Sequence, residues 1–300
     1  MSGDRLIRPS TGTAAGVPYL ALPPTAVDAE PAGPPPIIVV WPGFDPPRTP
    51  ASFATAMPLT GVPAWRVYLP LAEGSAFGGD ELLETGSLER YGEAVEQAAN
   101  ALPAVLAELR TQLDVAGGPV ALAGFSAGAS AALLAVAEAA VPVTAAALIT
   151  PVVSPARAIE AAERRTGRTY EWTAAARAVA VRLDFSRRVG DLAERDTKLL
   201  FGGGATDEVT GPEEVAELVE LLRTSGFRSA EGTTFRMGHA LVPEPGVDPR
   251  APTPEAVGVD GALTDWFRER LSVRPKAVPS LDGPVLLDES QLESANGFRG

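Results

Sequence analysis

Three residues of this chain have the chemistry to work as one unit: a serine held between glycines, an aspartate behind a run of glycines, and the only histidine. Ser126 stands in Gly124-Phe125-Ser126-Ala127-Gly128, with the apolar burst 120–123 before it and a run of strong helix formers, 129–140, behind it. Strand, sharp turn with a serine at its tip, then helix is the arrangement of a nucleophile elbow, and the two glycines have a steric task there. Side chains two residues either side of the serine would collide where the strand folds back against the helix. Asp207 follows Gly202-Gly203-Gly204-Ala205-Thr206, and His239 follows Arg236-Met237-Gly238.

A serine hydroxyl is a weak nucleophile near neutral pH and needs a base to take its proton during attack. With one histidine in the chain, His239 is the only side chain whose ordinary pKa suits that task. Unperturbed, it would let activity fall as pH drops through about 6.5. The histidine needs a carboxylate to fix its tautomer, which is the role expected for Asp207. Glu208 is the nearest rival; Asp184, Asp191 and Asp196 also lie between serine and histidine, in or near an inserted segment. The oxyanion formed by attack on a carbonyl needs backbone N–H donors. Ala127, right after the serine, would supply one. The loop Pro42-Gly43-Phe44-Asp45-Pro46-Pro47 would supply the other, from Phe44 or alternatively Gly43.

The elements that must position these residues alternate. Residues 37–41, Ile-Ile-Val-Val-Trp, form a continuous apolar run of the kind found in a strand covered on both faces. Further strands are predicted at 17–22, 65–69, 120–123, 145–149, 198–201 and 233–235. Helices are predicted at 87–113, with Ser87 as N-cap and Pro103 kinking or splitting it, and at 129–140, 213–222 and 261–271. This pattern predicts an α/β fold with a mostly parallel central sheet flanked by helices. Ser126, Asp207 and His239 each follow a predicted strand, which places them at one end of the sheet, in the order nucleophile, acid, histidine.

Between the strands 145–149 and 198–201 stand two predicted helices, one opening at Ser154-Pro155 and stopping at Gly167, the other at 173–183. We read 154–195 as a small helical cap inserted in a domain of residues 1–275, with 276–300 a C-terminal tail. Tyr170, Trp172 and Phe185 of the insertion, with Gly43 and Phe125, are candidates to line the substrate site. The glycine-rich Phe77-Gly78-Gly79-Asp80 reads as a surface turn or a binding loop.

Composition bounds the rest. The chain of 300 residues is 45% hydrophobic and 21% charged, with net charge −13, which argues against nucleic acid or an anionic membrane as partner. It has no cysteine, so disulfides, thiolate metal sites and cysteine nucleophiles are excluded, and one histidine cannot build a histidine-rich metal site. No signal peptide is visible at the N-terminus, and a cytoplasmic location is expected.

With these positions in hand, the chain resembles the α/β-hydrolase superfamily over about residues 15–272, nearest its dienelactone hydrolase and prolyl-oligopeptidase-like esterase branch. The resemblance rests on Trp41-Pro42-Gly43-Phe44 at the oxyanion loop, Gly124 to Gly128 at the elbow, Gly204-Ala205-Thr206-Asp207 at the acid turn, and Gly238-His239. Many members carry histidine before the oxyanion-loop glycine and before the acid-turn glycine, where this chain has Trp41-Pro42 and Gly203. The resemblance implies no cofactor and no metal. The expected activity is hydrolysis of a small to medium neutral ester through an acyl-enzyme. The alternatives are a thioesterase and a non-catalytic binding protein of the same fold. No basic clamp for a multiply charged substrate is evident, although Arg48, Arg157 or Arg236 could reach the site.

Overall fold

The computed structural model describes residues 9–25, 35–72, 80–115, 117–118 and 120–271. The turn around Phe77, the tail 276–300 and most of the proline connector 32–36 lie outside the described residues. One eight-stranded sheet organises the molecule, in the order β1 (Ser10–Ala14), β2 (Val17–Leu22), β4 (Trp65–Tyr68), β3 (Ile37–Trp41), β5 (Val120–Phe125), β6 (Val143–Ile149), β7 (Lys198–Gly204), β8 (Ala230–Phe235). From β4 to β8 every pairing is parallel; β1 and β2 join antiparallel at one edge.

The period of two along the central strands divides the core in two layers. In β5, Val120 and Leu122 face one layer while Ala121, Ala123 and Phe125 face the other. The second layer is covered by α1 (Pro50–Ala56) and α8 (Pro254–Leu271), through Phe53, Leu263 and Phe267. The first layer is covered by α2 (Ser87–Gln112), α3 (Ala127–Glu138) and α7 (Pro212–Thr224). Helix α3 is buried from Ala127 to Ala137, which explains its alanine-rich composition: small side chains let it sit directly on the sheet.

Four local expectations change. Strand β1 has no apolar pattern, because an antiparallel edge strand of Ser, Thr and Gly has one solvated face; it is held by its register with β2, where Gly12 faces Tyr19. Pro103 does not split α2, which runs through it with the proline itself exposed. Ser87 is the first residue of α2 rather than its cap. The cap is Gly86, at φ 80°, and the Ser87 hydroxyl instead donates to the Leu82 carbonyl. Finally, α8 begins seven residues before the expected 261, because Thr253 accepts from the Ala256 N–H and Pro254 opens the first turn.

The insertion holds three helices where two were expected: α4 (Pro155–Thr166), α5 (Ala174–Arg182) and the short α6 (Val189–Ala193). Helix α5 seats Val179 on Gly92 of α2, where a Cβ would stand only 2.7 Å from its methyl carbon. Glu89 of α2 accepts from Thr173 Oγ1, at the cap of α5, and from Tyr170.

Candidate active site

At the end of β5 the chain reverses direction within one residue. Ser126 takes φ 51° and ψ −119°, a conformation costly for any residue with a side chain, and the surroundings hold it there. Its N–H donates to the Ile149 carbonyl at 2.9 Å, and its carbonyl accepts from Ser130 N at 3.1 Å. A Cβ on Gly124 would stand 2.3 Å from the Gly128 carbonyl oxygen; one on Gly128 would stand 2.3 Å from the carbonyl oxygens of Trp41 and Pro42. Both glycines are therefore fixed by contact between backbones.

The structure brings Ser126, His239 and Asp207 into one hydrogen-bonded chain. Ser126 Oγ lies 2.9 Å from His239 Nε2, and His239 Nδ1 lies 2.8 Å from Asp207 Oδ2. A carboxylate only accepts, so Nδ1 carries a proton; in the neutral ring Nε2 then holds the lone pair that faces the serine. Asp207 closes an Asx-type turn: Oδ1 accepts from the Val209 and Thr210 N–H groups at 2.8 and 3.0 Å, and Oδ2 from the Thr210 hydroxyl at 3.0 Å. The acid turn and the histidine loop are also tied along the backbone, Ala205 N to the Phe235 carbonyl and Thr206 N to that of Met237. Burial works against ionising Asp207, but the His239 contact and the two backbone N–H groups outweigh it and hold its pKa below the ordinary value. Glu208 is exposed, and its carbonyl accepts from Arg165 of α4. Asp184, Asp191 and Asp196 pair with Arg187, Arg188 and Lys198.

The loop after β3 crosses directly over the elbow. A Cβ on Gly43 would come within 2.9 Å of Ser126 Cβ, so glycine is required there and the Phe44 peptide runs beside the serine. Arg48 clamps this loop, with Nε donating to the Phe44 carbonyl at 2.8 Å and Nη2 pairing with Glu244 at 2.9 Å. Leu241 N bonds the Pro46 carbonyl at 3.0 Å, which fastens the histidine loop to it as well. Ala127 opens α3, where the first N–H groups have no acceptor within the helix.

One group that sequence reasoning passed over is Asp45. Its Oδ2 lies 3.4 Å from His239 Nε2, and both side chains are 7% exposed. The histidine therefore faces a carboxylate at each ring nitrogen. Burial alone would lower its pKa, but Asp207 and Asp45 outweigh that and push it up to about 9, so the expected titration near 6.5 is corrected upward. A carboxylate among prolines, two residues beyond a loop glycine, was the available signal; it reads as an ordinary turn residue until the loop is folded back over the elbow.

An open recess of about 260 Å³ borders His239, lined by Arg165, Thr206, Glu208 and Val209. Arg165 was not foreseen, because only the fold carries the C-terminal turn of α4 to this place. Tyr170, Trp172 and Phe185 are not among the described residues lining this recess: Phe185 is wholly buried in the core, and Tyr170 is buried with its ring against Trp172. Phe125 lies under the histidine, ring centroids 5.6 Å apart, as a floor. Arg48 and Arg157 are engaged in ion pairs, Arg157 with Glu214 and Glu217. A second recess of about 230 Å³ lies at the same end of the sheet, bounded by Val17, Trp41, Leu69, Leu71, Ala98 and Val105.

No protein-family model matches the chain, and no curated protein matches it. Solved structures do. TT1662 from Thermus thermophilus is 17% identical with a TM-score of 0.59, over 89% of this chain and 100% of that one. A thermostable esterase from Pseudomonas putida is 15% identical with a TM-score of 0.55, over 89% and 83%. A puromycin-hydrolyzing peptidase from Mycobacterium tuberculosis is 17% identical with a TM-score of 0.61, over 90% of this chain but 41% of that one. At these identities the likeness speaks for the fold, and the strand order with its antiparallel β2 agrees with it: the chain has the α/β-hydrolase fold.

Proposed function

We propose that the protein is a serine hydrolase that cleaves carboxylic esters of small to medium neutral substrates through an acyl-enzyme. One observation carries this reading: the unbroken chain from Ser126 Oγ to His239 at 2.9 Å and on to Asp207 at 2.8 Å, set on a strained elbow. As Ser126 Oγ bonds to the carbonyl carbon, its proton passes to His239 Nε2. Asp207 holds the ring in place and stabilises the imidazolium. The oxyanion is received by the N–H groups of Phe44 and Ala127, fixed before substrate arrives by the Arg48 clamp and the start of α3. The imidazolium then protonates the departing alkoxide, and water, activated by the same histidine, releases the acid. The structural neighbours include esterases, of which this chain covers 83%, and peptidases, of which it covers 41–43%; the ester reading follows the esterases, which the chain covers more fully.

The test is labelling by a fluorophosphonate probe together with hydrolysis of a panel of esters, thioesters and amides of graded acyl length. Ser126→Ala should abolish both labelling and turnover. Labelling that survives this change rules out Ser126 as nucleophile. Turnover confined to thioesters or amides would replace the ester assignment, and absent turnover and labelling would make the fold a binding scaffold.

A further inference from the structure

A serine hydrolase needs one carboxylate on its histidine, at the nitrogen away from the serine. Here a second stands at the nitrogen toward the serine. Asp45 Oδ2 is 3.4 Å from His239 Nε2, which is itself 2.9 Å from Ser126 Oγ. In the neutral ring this nitrogen carries a lone pair, and an anionic oxygen facing a lone pair gains nothing. Once the ring is protonated, the Nε2–H lies between two acceptors, the serine oxygen and the Asp45 carboxylate. Both groups are held out of water, so their attraction is weakly screened. Asp45 therefore favours the imidazolium in the resting enzyme and again in the transition state.

We propose that Asp45 is a second positioning carboxylate of His239, one that grips the protonated Nε2 and so sets the pH range in which Ser126 is activated. This inference rests on the triad reading above. The loop geometry gives Asp45 a fixed address: its neighbour Phe44 is held by Arg48 through the carbonyl, and Pro46 by Leu241. The other groups around the histidine come from every side of the site. Asp207 approaches from the turn after β7, Ser126 from the elbow, and Arg165 of α4 with Glu208 from the rim of the recess. Across the same loop, Tyr91 of α2 packs edge-on to Phe44, ring centroids 6.3 Å apart. Of the acids, Asp207 faces Nδ1, Asp45 faces Nε2, and Glu208 is exposed. The consequence is a trade. At neutral pH little of the enzyme holds a free base, while at alkaline pH the base that is present is stronger, with its charged form doubly stabilised during attack.

Because His239 is the only histidine, nuclear magnetic resonance of histidine-labelled, tag-free protein reads its titration without assignment. We would follow that signal in Ser126→Ala and in Ser126→Ala with Asp45→Asn, and measure fluorophosphonate labelling rates from pH 5 to 10 in the parent and in Asp45→Asn. The expected result is a shift of the histidine titration toward acid of at least about one unit in the Asn variant, which is tenfold more free base at a pH below both midpoints. The acid limb of labelling should move with it and the alkaline plateau should fall, so that the two profiles cross. Asp45→Glu should restore part of the upward shift. An unmoved titration or an unmoved limb overturns the proposal. Should Asp45→Asn fail to fold, Ser126→Ala alone decides: a His239 titration at or below the free-imidazole value overturns it as well. Labelling equal in Ser126→Ala and the parent would instead overturn the triad reading, and the resonance titration would still decide whether Asp45 is coupled to the histidine.

Discussion

The carbonyl oxygen of Trp41 lies 2.3 Å from the point where a Cβ on Gly128 would stand. The end of β3 and the second residue of α3 thus touch through backbone alone. Helix propensity and packing give opposite signs at this position. In a free helix Gly→Ala stabilises by about 1 kcal/mol, whereas forcing a methyl group into filled space costs about 1–3 kcal/mol or more. Backbone cannot swing aside as a side chain can, so packing should win. Gly128→Ala is expected to lower the thermal midpoint and to slow Ser126 labelling by pushing the Trp41–Phe44 segment outward. Gly258→Ala in α8, where a Cβ meets nothing within 4 Å, should instead leave the midpoint equal or higher. Equal midpoints for the two variants would show that the elbow has slack.

The two neighbouring acids at the turn after β7 separate cleanly. Asp207 is buried and bonded to His239 Nδ1, while Glu208 is exposed and offers its backbone carbonyl to Arg165. Asp207→Asn keeps the shape of the turn but offers an amide where the ring needs an acceptor. Loss of this orienting charge should reduce kcat by about 10⁴-fold. Glu208→Gln, at the rim of the recess and outside the Ser126–His239–Asp207 chain, should cost far less. Comparable losses from the two variants, measured on one ester, would overturn the assignment.

The same pair shows which parts of the molecule are legible in the sequence. The run Ile37–Trp41 and the elbow glycines were readable because burial on both faces and close backbone approach leave few residue types acceptable. The order of Ser126, Asp207 and His239 was readable because each closes a strand of one parallel sheet. Strand β1 was not, since a solvated edge places little demand on side chains. Nor was Asp45, which lies 194 residues before His239 in the chain: only the fold of a proline-rich loop brings it to the histidine. The insertion shows the same limit. Its aromatics looked like a pocket lining, yet Phe185 and Tyr170 fill the core, and an arginine at the helix end reaches the recess.

Activity and stability should run in opposite directions between pH 6.5 and 9. As the proposed base, His239 would act when deprotonated, and its folded pKa is pushed up to about 9. Turnover under kcat/KM conditions should therefore rise about tenfold per pH unit from neutrality until it levels off near that value. For stability the sign is reversed. A histidine with a folded pKa above its unfolded one contributes fully below the unfolded value of 6.5, and the contribution is lost as pH rises through the folded value. The gap in thermal midpoint between the parent and His239→Gln should narrow over this window. Activity that levels off near pH 6.5, with a constant gap in midpoint, would show that the two carboxylates do not hold the ring charged.

Away from the site, Glu214 of α7 offers a stability effect that activity should not follow. Its side chain is 11% exposed, with Arg157 Nε 3.3 Å away. Burial raises its pKa more than Arg157 lowers it, and Glu217, Asp184 and Glu160 add repulsion, so that it reaches about 7 from an ordinary 4.5. This acid binds its proton more tightly in the folded chain than in the unfolded one. Its contribution is present below pH 4.5 and is lost as pH rises through about 7, a change on the order of 3 kcal/mol. Glu214→Gln cannot titrate, so its thermal midpoint relative to the parent should climb between pH 4.5 and 7.5. The lost ion pair to Arg157 adds an offset but no comparable rise, because the guanidinium stays charged throughout. Midpoint curves that remain parallel across this range would show that Glu214 ionises normally, with water reaching it between α4 and α7.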